Sequence, residues 1–146
     1  MIHAMLLQLL LTFPSGPHQD CIRSRAPQIE RQATRAVRRH RSVPPEMLIA
    51  VGFQETHLGC VRGIGWGARL RRSDRGNPAM AAARSLERGL RVCENRSGAL
   101  RFFRTGKCRE SDVGSPYASR VLALASRIAR ASTRDRVAAR TPLRRR

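Results

Sequence analysis

The core of this chain has to be built almost without aromatic side chains, because they make up only 4% of its 146 residues. Most of the hydrophobic fraction, 41% of the chain, consists instead of Leu, Val, Ile and many Ala. This composition favours close-packed helices, since Ala and Leu have high helix propensity whereas strands prefer aromatic and β-branched residues. The length suits one domain with one modest core. We therefore expect an all-α fold.

The chain is strongly basic, with a formal net charge of +19 at pH 7. Lys107 is the only lysine among the 29 lysines and arginines, so arginine supplies nearly all of the positive charge. A surface of this charge attracts polyanions whatever the fold. Nucleic acids and the anionic polymers of a cell envelope are both polyanions, so the charge indicates the class of partner and leaves both open.

The N-terminal segment 1–20 contains an apolar run from Ala4 to Phe13. This run is too short for a membrane-spanning helix, which needs about 20 residues, and we expect no membrane span elsewhere. Its length suits the hydrophobic part of a secretory signal, and Pro14-Ser15-Gly16 supplies small and turn-forming residues near a cleavage site. We expect 1–20 to be a signal-like segment and the protein to be periplasmic or secreted. The alternative is a buried N-terminal helix, because no Lys or Arg precedes the run.

The four cysteines are spread widely and form no Cys-x-x-Cys pair; they are Cys21, Cys60, Cys93 and Cys108. The four histidines are scattered as well, so we expect no metal site. In a small exported domain, four cysteines usually form two disulfides. We favour Cys93 with Cys108, at the two ends of a short helical hairpin, which leaves Cys21 with Cys60. The alternative is four reduced, buried thiols in a cytosolic protein.

Apolar residues at helical spacing predict about five helices. Their approximate ranges are 26–40, 44–57, 78–93, 97–105 and 116–128. Asn77 is a suitable cap before the third helix, and Gly106 is a suitable end for the fourth. The glycine-rich segment 59–76 predicts a long loop after the second helix.

These elements divide the chain into three parts. After the signal-like segment we expect a helical domain over 21–129 and an Arg-rich, solvated tail over 130–146. The tail either tethers the protein to a phosphate-bearing polymer or nucleic acid, or is disordered with no specific partner. No glycine loop is followed by the lysine that a phosphate site needs, so we expect no cofactor.

One acidic residue lies where an apolar one is expected. Leu48, Val51 and Glu55 share one face of the second predicted helix. Because the preceding run 47–53 contains no ionisable group, the carboxyl of Glu55 should be partly desolvated and able to hold a proton, as a general acid must. The alternative is a helix-end Glu paired with one of the arginines. No second carboxylate stands out as nucleophile or base, so the two-carboxylate glycosidase scheme is not supported.

The segment 43–51, followed by Gln54-Glu55-Thr56, resembles the region around the catalytic Glu of the soluble lytic transglycosylase and goose-type lysozyme family. In that family the acid follows an apolar helix and precedes a small hydroxyl residue. Downstream, the turn 103–106 resembles the family's aromatic-Asn-x-Gly turn, and Tyr117 resembles the aromatic residue that opens the closing helix. The resemblance covers about 43–128 and implies a lysozyme-like helical domain. Arg104 replaces the Asn of the turn, and the family's Gly-x-x-Gln segment has no clean counterpart in 63–68.

The resemblance implies cleavage of the bond between N-acetylmuramic acid and N-acetylglucosamine in peptidoglycan glycan strands. Glu55 would protonate the glycosidic oxygen and then act as base while the muramic 6-hydroxyl closes a 1,6-anhydro ring. Thr56, Phe103 and Tyr117 would shape the sugar cleft, or serve as a helix C-cap, a core aromatic and a core Tyr. Trp66, on the glycine-rich loop, would either stack on a sugar ring or anchor the loop.

Two other functions remain open at this point. A hydrolytic lysozyme would use the same fold, with water instead of the muramic hydroxyl completing the reaction. A non-enzymatic polycation would bind nucleic acid or an anionic envelope polymer, with binding that salt weakens steeply and that does not depend on Glu55.

Overall fold

The computed structural model describes residues 1–13, 16–61, 65–109 and 116–140, and this part of the chain contains helices and no strand. The expected all-α class is therefore confirmed. The six α-helices are α1 (Ile2–Thr12), α2 (Pro17–Arg39), α3 (Pro45–Thr56), α4 (Pro78–Val92), α5 (Arg96–Thr105) and α6 (Tyr117–Arg140). Two short 3₁₀ segments, Gly65–Gly67 and Arg72–Asp74, lie between α3 and α4.

Helix α3 is the central element of the fold. Its residues from Met47 to Gly52 are all buried, so the helix has no solvent-facing side over this stretch. A helix that is apolar on every side is stable only when other helices enclose it. Here α3 packs against α1, α2, α4 and α6, and also against the first 3₁₀ segment.

The ends of the outer helices follow local sequence signals. The side chain of Asn77 accepts a hydrogen bond from the backbone N–H of Met80 and caps α4, as predicted. Gly106 ends α5 in the left-handed conformation, with φ of 75°, also as predicted. Helices α4 and α5 approach closely at Gly89, where a Cβ atom would lie 2.8 Å from the carbonyl oxygen of Ala99.

Both favoured disulfides are present. Cys21–Cys60 joins α2 to the turn that follows α3, with a Cα–Cα distance of 5.9 Å. Cys93–Cys108 joins the end of α4 to the segment that follows α5, with a Cα–Cα distance of 5.5 Å. The loops that they close span 39 and 15 residues. On the chain-entropy estimate, closing loops of these lengths stabilises the fold by about 4 and about 3 kcal/mol.

Several predicted boundaries differ from those in the structure. Helix α2 begins at Pro17 rather than near residue 26, because Gly16 is extended at the N-cap position and Pro17 suits a first helical turn. It runs through residues 20 and 21, where we had placed a domain boundary. Helix α6 continues to Arg140, so the first part of the predicted tail is helical. The remaining tail, 141–146, and Pro14-Ser15 of the predicted cleavage site lie outside the described residues.

The N-terminal apolar run forms a helix within the core. Ile2, Met5, Leu6 and Leu9 of α1 are buried, and the helix packs mainly against α2 and α6. In this structure the segment has the features of the buried N-terminal helix that we gave as the alternative to a signal. Among the described residues, no helix is both long enough and apolar enough to cross a membrane.

A histidine pair joins the start of α2 to the end of α3. The rings of His18 and His57 lie 4.6 Å apart between centroids, and the ring of Phe53 lies 4.8 Å from that of His57. Burial lowers the pKa of His57 below its usual 6.5, and the charge of His18 lowers it further. His57 therefore resists protonation in the folded protein.

We predict that replacing Leu9 by Ala lowers the free energy of unfolding by about 2–5 kcal/mol, because a fully packed side chain is removed from the core. Leu11→Ala is the matched control on the same helix. Leu9 is 1% exposed whereas Leu11 is 81% exposed, so the control should change stability by less than about 0.5 kcal/mol. Urea unfolding of the full chain measures both values. Equal effects would show that α1 does not pack as described.

We also predict that acidification below about pH 6.5 destabilises the protein through His57. The unfolded chain binds a proton at this histidine more readily than the folded protein does, so stability is retained above pH 6.5 and lost as the pH falls. His57→Asn should flatten this dependence, because Asn does not titrate and tolerates the left-handed conformation of residue 57. Urea unfolding at pH 7.5, 6.5 and 5.5 measures the difference.

Acidic groups affect stability in a separate pH range. A hydrogen bond with His40 lowers the pKa of Glu87 below 4.5, so its contribution is lost only at more acidic pH. If wild type and His57→Asn lose the same stability between pH 7.5 and 5.5, His57 is not the group responsible.

Candidate active site

Glu55 lies in the last turn of α3, at the end of the buried apolar run. Its side chain is half-buried. The alternative given by the sequence is a pair with one of the arginines. Among the described residues, the ion pairs of acidic side chains involve Glu30, Glu46, Asp74 and Glu87, and none involves Glu55.

The backbone of Gly67 lies directly against the side chain of Glu55. A Cβ atom at residue 67 would be 2.5 Å from Cγ of Glu55 and 3.0 Å from its Oε2. The residue also has a φ of +81°, which L side chains rarely adopt. Both features require glycine here. The glycine-rich composition of the segment predicted irregular backbone, but it did not predict this contact.

Tyr117, the first residue of α6, is buried beside Glu55. Burial raises the pKa of its hydroxyl well above the ordinary value, and the nearby carboxylate of Glu55 raises it further. The hydroxyl has no hydrogen bond of regular geometry to the described residues, so the two groups are close neighbours without a formed bond. The structure thus brings together two residues that lie 62 positions apart in the sequence.

Arg104 covers the ring of Tyr117. Its guanidinium carbon lies 4.8 Å from the ring centroid, a typical cation–π distance. The positive charge lowers the pKa of Tyr117 and thus opposes the effects of burial and Glu55. Arg104 thus places a cation on the Tyr117 ring of the Glu55–Tyr117 pair.

Trp66 is a support for this site. The residue is fully buried, and its ring packs on Gly52 of α3, where a Cβ atom would lie only 2.5 Å from ring atom Cε3. No face of the ring is open for a sugar, so the structure favours the loop-anchoring interpretation of Trp66 over stacking. Because Gly67 follows Trp66 directly, the anchored ring also holds Gly67 against Glu55.

Thr56 and Phe103 have different surroundings. The hydroxyl oxygen of Thr56 accepts a hydrogen bond from the backbone N–H of Gly59 at 3.0 Å and thereby helps to close the turn after α3. This is the C-cap role that we gave as the alternative to sugar contact. Phe103 is half-buried and lines a surface groove that also includes Gly67. It is therefore close to the site without enclosing Glu55.

Within the described ranges, no group of three or more His, Cys, Asp or Glu side chains could hold a metal ion. Comparisons of the chain with models of protein families, with curated proteins and with solved structures found no match.

Proposed function

We propose that this protein is an exported lytic transglycosylase of peptidoglycan, with Glu55 as its acid and base. The observation that carries the proposal is the setting of Glu55. A half-buried carboxylate ends an apolar helix, the backbone of Gly67 encloses it on one side, and the buried hydroxyl of Tyr117 is its neighbour. This arrangement suits a group that must give up and take back one proton at a fixed position.

The reaction requires only one carboxyl group. Protonated Glu55 gives its proton to the oxygen that links N-acetylmuramic acid to N-acetylglucosamine, and the bond between this oxygen and the muramic C1 breaks. The resulting carboxylate then accepts the proton of the muramic 6-hydroxyl, and the oxygen of this hydroxyl bonds to C1. The product carries a 1,6-anhydro ring, and Glu55 is protonated again.

Tyr117 is suited to assist the carboxylate between these two steps. Because its pKa is raised, the hydroxyl keeps its proton throughout the physiological range. It can therefore donate a hydrogen bond to Glu55 when the carboxylate is charged, and it does not compete as a second base. Arg104, stacked on the ring, would restrain Tyr117 in this position.

The remaining features support an extracytoplasmic location. Two disulfides are typical of proteins that fold in an oxidising compartment. The lysozyme-like domain would be the described helical bundle, with α3 carrying the acid. The charge of +19 would hold the enzyme on anionic envelope polymers close to its substrate.

We predict that Glu55→Gln lowers the release of anhydro-muropeptides by about a hundredfold or more, because the glutamine cannot donate the proton. Purified peptidoglycan is digested with each protein, and the products are identified by mass spectrometry. Glu46→Gln is the control. This acid lies in the first turn of the same helix, 3.7 Å from Arg96, and its loss should leave product release unchanged.

The products also distinguish the other functions. Reducing muramic ends instead of anhydro ends would identify a hydrolytic lysozyme. If wild type with both disulfides formed releases nothing, the enzymatic proposal is wrong. A polycation that binds nucleic acid or envelope polymer would then remain.

A second prediction tests the contact between Gly67 and Glu55. Gly67→Ala should reduce product release by about a hundredfold, because the new methyl group displaces the carboxyl group from its working position. The matched control is Gly76→Ala, since Gly76 also has a positive φ, of +70°, but has no atom within 4 Å of an added Cβ. Both variants should lose about 1–2 kcal/mol of stability from the unfavourable backbone conformation.

Rates of muropeptide release and urea unfolding are measured for both glycine variants. If Gly67→Ala and Gly76→Ala are equally active, the close approach of residue 67 does not position Glu55.

A further inference from the structure

A groove lined with arginines begins next to the candidate active site. It has a volume of about 510 Å³ and lies between the segment that follows α3, helix α4 and helix α5. We call it the arginine groove, after its basic lining residues, which are Arg69, Arg71, Arg84, Arg88 and Arg91. Glu87 is the only acidic residue among the described residues of the lining, and Val92 and Phe103 provide apolar surface.

Some of the charged residues of the arginine groove already form ion pairs within the fold. Arg84 forms an ion pair with the buried Asp74 and donates a hydrogen bond to the backbone carbonyl of Arg69. Glu87 is bound by His40 at 2.8 Å and by Ser42 at 3.1 Å, and Arg91 lies 3.9 Å from it. These contacts assign Arg84 to structure. Glu87 supplies one negative charge against the four other arginines of the groove, so the groove stays basic.

The remaining arginines can bind a ligand. Among the described residues, the exposed side chains of Arg69 and Arg71 form no ion pair, and Arg88 only stacks over Phe102 at 5.7 Å. Arg69 and Arg71 belong to the segment before α4, whereas Arg88 and Arg91 belong to α4 itself. Guanidinium groups therefore line the groove from two elements, which favours bidentate binding of planar carboxylates.

The groove and the site of the proposed chemistry share one residue. Gly67 lines the groove and also contacts Glu55. A glycan strand with its cleavable bond at Glu55 would therefore have its nearest substituents beside the groove. In peptidoglycan those substituents are short peptides on the muramic lactyl group, and they carry free carboxylates and small apolar side chains. Phe103 and Val92 would pack against the apolar part.

We propose that the arginine groove binds the carboxylates of the peptides carried by muramic acid, so that peptide-bearing strands are the preferred substrate. The inference rests on the proposed function, since it takes the ligand from the strand held at Glu55. A phosphodiester polymer fits this site less well, because the apolar wall of Phe103 and Val92 would then lie against a charged chain.

The first test measures binding without catalysis. N-acetylmuramyl-L-alanyl-D-glutamic acid and its diamide are titrated into wild type and into the double variant Arg69→Ala/Arg71→Ala by calorimetry at fixed salt. We expect the acid to bind wild type at least tenfold more tightly than the diamide, and we expect the double variant to lose this difference. The charge-matched control is Arg35→Ala/Arg38→Ala, on an exposed hollow of α2, and it should behave as wild type.

The second test measures rates on intact strands and on strands from which an amidase has removed the peptides. Wild type should cleave peptide-bearing strands at least tenfold faster, and the Arg69/Arg71 double variant should cleave both at the same rate. If wild type cleaves both equally, the groove proposal is wrong while the proposed function stands. If no strand is cleaved, the proposed function is wrong, and the titration alone decides whether the groove binds carboxylates.

Three titration results would overturn the groove proposal. The first is equal binding of the acid and the diamide to wild type. The second is an equal loss of binding in the Arg35/Arg38 control, which would reduce the effect to net charge. The third is tighter binding of a glycerol phosphate oligomer through Arg69 and Arg71, which would assign the groove to phosphodiester polymers instead.

Discussion

The packing of Trp66 against Gly52 determines the geometry of the site. Because Gly52 has no side chain, the largest ring in the chain can lie directly on the central helix α3. This contact fixes the segment that follows α3. Gly67, the residue after Trp66, therefore contacts the side chain of Glu55. A protein with few aromatic residues thus uses its single tryptophan to attach an irregular segment to its core. The position of the carboxylate depends on two glycines and one buried ring.

The acidic residues of the described part of the chain differ in their neighbours. Asp74 pairs with Arg84 and Glu87 pairs with His40, and each of these two pairs joins two elements of the fold. Glu55 has Tyr117 as its neighbour instead, and a hydroxyl can donate a hydrogen bond without cancelling the charge. Acids that stabilise the fold are therefore separate from the acid that we propose for catalysis.

Much of the fold follows from local signals, but the site does so only in part. The cap at Asn77 and the end at Gly106 depend on neighbouring residues, and the pattern around Glu55 depends on one helix, so the sequence predicts all three. The burial of Trp66 and the contact of Gly67 with Glu55 depend on residues distant in sequence, and a local pattern cannot predict them. Periodicity does not predict the start of α2 at Pro17, because the regular amphipathic stretch of this helix begins only near residue 26.

Helix α1 connects the N-terminal segment to the site. Its buried residues, Leu6 and Leu9 among them, pack mainly against α2 and α6, and α6 begins with Tyr117. Because a helix moves largely as a unit, contacts that hold α6 in place also hold the hydroxyl of Tyr117 beside Glu55. Loss of α1 would expose the apolar faces of α2 and α6 to water and leave α6 held mainly by α3 and α5. A role for this segment in export therefore has to be compatible with its place in the folded core, since the same side chains cannot be cleaved away and also hold Tyr117 in position.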